Sequence, residues 1–73
     1  MKPIFDYSVL RGRIVEKFGS LESFAAALNM TATTLGRKMS NKSYWSQSEI
    51  LAACYLLEIL ASDIPRYFFC AVS

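Results

Sequence analysis

The residues best suited to chemistry lie between positions 31 and 45, where Arg37, Lys38 and Lys42 give a charge of +3 with no carboxylate among them. No acid occurs between Glu22 and Glu49. Cations gathered in one segment can pair with phosphate oxygens, displacing the counterions those phosphates hold. A solvated basic loop has the same composition, so the shape of the segment decides between the two. Catalytic groupings are missing. With no His in the chain, an imidazole base, a His-based triad and a His-containing zinc site are all ruled out. Cys54 and Cys70 stand sixteen positions apart and form no C-x-x-C pair, which points to two buried, reduced thiols in a cytosolic protein. Carboxylates are scattered singly, and Gly12, Gly19 and Gly36 form no phosphate-cradling loop. The expected protein is not an enzyme and takes no metal and no cofactor.

Such a segment needs a scaffold, and the composition allows only a small one. The 73 residues are 53% hydrophobic and 19% charged, which fits a single domain over residues 1–73. A core this small favours helices with short connections, or support from a second subunit. The net charge of +2 is too weak to mark a polyanion binder by itself. The longest apolar run, Ile50 to Leu57, is far short of the ~20 residues a membrane-crossing helix needs. Met1-Lys2-Pro3-Ile4 lacks the apolar stretch of a secretory signal, so the chain is expected to stay in the cytoplasm, away from membranes.

Apolar spacing predicts five short helices. Leu10, Ile14 and Phe18 repeat every fourth residue, with Gly19 as a left-handed stop, giving a first helix over about 7–18. Its outer cations, Arg13 and Lys17, have nothing stronger than Glu16 or water in reach. Ser20 caps a second helix over about 21–28, with Leu21, Phe24, Ala25 and Leu28 as its stripe. Asn29 tolerates positive φ, and Thr31 restarts the chain as the cap of a third helix ending near Met39. Leu35 and Met39 face inward. Ala32, Thr33, Gly36, Arg37 and Ser40 look outward, an unusual solvent face because it lacks Glu–Lys pairs. Small groups beside one long cation suit close approach to a negatively charged groove.

Ser46-Gln47-Ser48-Glu49 is a capping box, and Trp45 and Ile50 occupy the positions of its hydrophobic staple. This favours packing of Trp45 under the 40–46 loop over stacking of its indole on a base. The fourth helix, about 47–59, carries Ile50, Leu51, Cys54, Tyr55 and Leu57, too many apolar residues for one face, so a central place in the core is expected. Ser62 caps a last turn with Ile64, Pro65, Tyr67 and Phe68, proline being acceptable in a first turn. The run Tyr67-Phe68-Phe69-Cys70-Ala71-Val72 exceeds what closing a small core needs. Within 62–73 it offers a candidate dimer or partner surface at Tyr67, Phe68 and Phe69.

The helix pair 21–28 and 31–39, with Ala25 at the close contact and Leu28 and Leu35 bracketing the turn, resembles the helix-turn-helix of the phage Cro/cI-type (XRE) family. Asp6-Tyr7-Ser8, the stretch Leu10 to Ser20, Phe24-Ala25, Thr34-Leu35, Glu49-Ile50 and Ile64 to Phe69 resemble small phage-encoded Cro-like regulators. The resemblance covers nearly the whole chain. It implies a compact five-helix, lambda-repressor-like all-α domain, with a helix-turn-helix over about 21–39, that dimerises on double-stranded operator DNA and places its third helix in the major groove. By that resemblance, Ala32, Thr33 and Arg37 match base-facing positions. Thr34, Lys38, Asn41, Lys42, Ser43 and Tyr44 match positions beside the DNA backbone, and Ser20 stands at a helix start that would offer amides to a phosphate. Two departures stand out: Leu21 occupies a place where many relatives carry a phosphate-binding Gln, and Gly36 sits mid-helix.

Two functions follow. One is a phage or prophage repressor that occupies an operator. The other is a modulator or antirepressor that keeps the fold and binds a cI-type repressor protein. The operator-binding repressor is the main reading and the modulator the alternative, although the modest charge, Leu21 and the apolar carboxy-terminal end favour the second more than most relatives would.

Overall fold

The structure, a computed structural model, describes residues 4–71. Met1 to Pro3 of the amino-terminal stretch, and Val72 and Ser73 of the proposed dimer segment, lie outside the described residues. The described chain is all-α: α1 (Ser8–Phe18), α2 (Leu21–Ala27), α3 (Ala32–Met39), α4 (Gln47–Leu57) and α5 (Ile64–Phe68), with a single 3-10 turn at Ala61–Asp63. Helices α2 and α3 form the short helix pair that the apolar spacing predicts.

Each boundary has a local cause. Gly19 ends α1 at φ 82°, a conformation free of Cβ strain only for glycine, and its amide closes on the Val15 carbonyl. Ser20 Oγ accepts from the Ser23 amide and Thr31 Oγ1 from the Thr34 amide, so both expected caps are present. Asn29 takes φ 61° between these helices, as expected of an Asn at that break. Ser46 and Glu49 complete the capping box in both directions. Ser62 does not cap the last helix; the residue in the cap position is Asp63, and it makes no side-chain cap bond.

α1 packs against α2, α4 and α5, while α3 rests on α2. Their shared core holds Leu10, Ile14, Phe24, Leu35, Leu57 and Phe68, all essentially without solvent contact. Leu21 packs partly buried against that core. Burial of such side chains contributes about 1.5–3 kcal/mol each, the main term available to a chain of this size.

Four further expectations need correction. α4 is not enclosed: Leu51 is 64% and Tyr55 85% exposed, because α4 is covered on one flank only. Phe68 is a core residue at 1% exposure and cannot serve as a partner surface, whereas its neighbour Phe69 is 52% exposed. Cys54 is buried and its thiol is pushed up by that burial, but Cys70 is exposed. Arg13 makes the expected pair with Glu16 at 2.6 Å, but Arg13 and Lys17 also find partners at the end of α4 that the spacing did not suggest. Arg13 Nε donates to the Leu57 carbonyl at 2.9 Å and Lys17 Nζ meets Glu58 Oε2 at 2.8 Å. Glu58 itself adopts φ 56°, so Arg13 and Lys17 tie down the turn in which α4 ends.

Candidate functional site

The candidate surface of α3 begins at the Thr31 cap. Ala32, Thr33, Thr34 and Arg37 all face solvent, as the helical spacing requires with Leu35 and Met39 buried on the other side. Gly36 has open space around it: a Cβ placed there meets nothing within 4 Å. The flank is therefore low and smooth, with Arg37 its one guanidinium. Lys42 and Tyr44 are also exposed, while Ser20 and Ser43 are half-buried. The Ser20 hydroxyl is occupied by the Ser23 amide and hydroxyl, and Glu22 places a carboxylate in the first turn of α2, which disfavours a phosphate there.

Two of the residues expected beside the DNA backbone are turned inward. Lys38 is 8% exposed; its ammonium lies 3.0 Å from Glu49 Oε1 and donates to the Tyr44 carbonyl at 3.0 Å. The same carboxylate oxygen accepts from the Ser46 amide at 2.9 Å. Burial would raise the Glu49 carboxyl, but the Ser46 amide and the hydrogen bond and charge of Lys38 outweigh it and hold the group below its ordinary value. Lys38 thus locks the 40–46 loop between α3 and α4. Asn41, at φ 65°, uses both ends of its amide on Phe5: Phe5 N donates to its Oδ1 and its Nδ2 donates to the Phe5 carbonyl, each at 2.9 Å. Neither side chain is left to contact a phosphate. Of the three cations in the 31–45 segment, Arg37 and Lys42 remain at the surface.

A second surface has formed on the other side of the loop. Trp45 packs its ring edge-on against Phe68 at 5.2 Å, the structural role its staple position implies. Its indole N–H is buried without an acceptor. Phe5 sits edge-on to Phe69 at 5.9 Å, and the Asp6 amide bonds the Cys70 carbonyl at 2.7 Å, so the two ends of the described chain run side by side. Between these rings and the start of α4 lies an aromatic-walled cleft of about 180 Å³. Of the residues around it, the sequence pointed to Phe68 and Phe69 as a partner surface, whereas Phe5 and Tyr7 come from the far end of the chain and carried no signal of their place here.

Among the described residues no group of His, Cys, Asp or Glu could hold a metal ion, and no helix is long and apolar enough to cross a membrane. The family described as "Protein of unknown function (DUF739)" matches residues 3–71. No curated protein matches the sequence. Among solved structures, the chain is similar to the modulator of repression (MOR) of the temperate bacteriophage TP901-1 from Lactococcus lactis, determined in solution. The two are 43% identical, the match covers 89% of this chain and 88% of that one, and the TM-score is 0.80. That neighbour is a phage regulator by its title, in keeping with the resemblance to small phage-encoded regulators, although the matched family is DUF739 and not the Cro/cI-type.

Proposed function

The chain belongs to the DUF739 family, and we propose that it is a phage-encoded modulator of repression, acting through contact with a repressor protein of the cI type. The carrying observation is the likeness to MOR over nearly the full length of both chains at 43% identity. The surface chemistry supports the same reading. Lys38 is neutralised inside the fold by Glu49, Asn41 is spent on Phe5, and Glu22 puts a negative charge in the first turn of α2, where a phosphate would otherwise be drawn. Two exposed cations, Arg37 and Lys42, are a thin footprint for a duplex. An exposed apolar flank on α4 suits a protein partner better than DNA. In this role the protein works in the cytoplasm of a bacterial host, with no catalysis and no metal or cofactor.

A second reading, a Cro-like repressor that binds operator DNA itself as a homodimer, rests on one observation: Ala32, Thr33 and Arg37 stand together on an exposed flank without a carboxylate. A gel-shift experiment separates the two. In the modulator reading, purified protein alone leaves the intergenic operator fragment unshifted but changes the shift given by the repressor of the same lysogeny module. A shift by the protein alone, lost in Arg37→Ala, would establish the Cro-like reading instead.

A further inference from the structure

The cleft beside Trp45 continues into a second, of about 340 Å³, that opens over Leu51 and Ile64. The two share Gln47, Ile50 and Phe69, so they form one groove with a saddle between two depressions. None of the described residues lining either depression carries a carboxylate, an ammonium or a guanidinium. Along α4 the exposed positions Gln47, Ser48, Leu51, Ala52 and Tyr55 are likewise uncharged. The one acid in that stretch, Glu49, is engaged with Lys38 and Ser46.

We infer that this groove is where the protein receives its repressor, and that the occupant is an uncharged face of a repressor helix bearing two large apolar side chains about one turn apart. The inference rests on the modulator reading and adds the place and chemistry of contact. Charge decides the occupant. A repressor reads DNA with a basic surface, and a cation pressed into this groove would be desolvated with no acid among the described lining residues to pair with. Phosphates are excluded for the same reason. Apolar side chains lose no partner on entering, and two adjoining depressions match anchors spaced by one helical turn, about 5.4 Å. A second copy of this chain fits less well, because a twofold contact centred here would set one concavity against another.

The test is calorimetric titration of the full-length protein with the purified repressor of the same lysogeny module. Leu51→Glu places a charge at an exposed position beside the second depression. Gln47→Glu charges the saddle at a helix start, where an acid is tolerated, and so guards against misfolding of the first variant. Thr33→Glu is the control on α3. The expected result is binding weakened about tenfold or more by either groove variant and less than about twofold by Thr33→Glu, with unchanged circular dichroism. Wild-type binding should also show a negative heat-capacity change, the mark of apolar burial. If Thr33→Glu abolishes binding and the groove variants do not, this inference fails while the modulator reading stands. Absence of any wild-type binding would remove both. A wild-type dimer in sedimentation that Leu51→Glu dissociates, with repressor binding unchanged, would assign the groove to a second copy and overturn the proposal.

Discussion

The exposed flanks of α3 and α4 differ in a way their sequences conceal. α3 holds two of the cations of the basic segment, yet its basic character is partly consumed: Lys38 points inward to Glu49 and Tyr44, leaving Arg37 at the surface. α4 reads as an enclosed core helix, yet Leu51 and Tyr55 stand in solvent. A charge in a segment is a footprint only once its internal partners are known, and apolar residues beyond what a small core can hold mark a surface. The same lesson appears within one turn at the carboxy-terminal end, where Phe68 closes the core and Phe69 walls the groove.

That last contrast gives the largest expected effect. Phe68→Ala should cost about 3–5 kcal/mol in urea unfolding, enough to unfold a domain of this size, while Phe69→Ala should cost about 1 kcal/mol or less. Equal losses at the two positions would erase the distinction between core and groove.

Next is the pair that separates α3's inner and outer cations. Lys38→Met should destabilise by about 1–3 kcal/mol, because the Glu49 carboxylate and the Tyr44 carbonyl each lose a donor. Arg37→Met should stay within about 0.5 kcal/mol. The same network has a pH signature. Glu49 is held below its ordinary value in the folded chain, as are Glu58 by Lys17 and Asp6 by the Ser8 amide. Groups with depressed folded values add stability above the ordinary carboxylate range, and that stability disappears as pH falls through the folded values. The urea midpoint should therefore decline from about pH 5 downward, and less steeply in Glu49→Gln.

Smaller effects follow from the helix starts and from Gly36. Ser46→Ala, which breaks the capping box at the head of the groove, should cost about 1 kcal/mol in thermal unfolding. Gly36→Ala should stabilise by about 0.5–1 kcal/mol, since the helix gains a better former and a Cβ there meets nothing in the chain. A loss of stability would contradict the helical backbone and open surroundings found at Gly36.

What could be read from the sequence was the local part. The Ser20, Thr31 and Ser46 caps, the Gly19 stop and the Asn29 break are settled by side chains acting within about one turn, and each stands where the residue types place it. The bonds of Lys38 to Glu49, Asn41 to Phe5 and Arg13 to Leu57 join residues far apart in the chain, so no periodicity announces them. The first two of those bonds are also what remove Lys38 and Asn41 from the candidate DNA surface, which is why the site was less legible than the fold. The exposure of Leu51 was hidden for a related reason: the composition of a helix does not say which of its flanks finds a neighbour.

The central claim, that this protein works through an apolar contact with a repressor, is tested most directly by the salt dependence of its binding. Affinity for the purified repressor should change less than about threefold between ~50 and ~200 mM salt, because few counterions are released, and binding to operator fragment alone should be undetectable. Tight binding to the bare operator that falls about tenfold or more over the same range would contradict it.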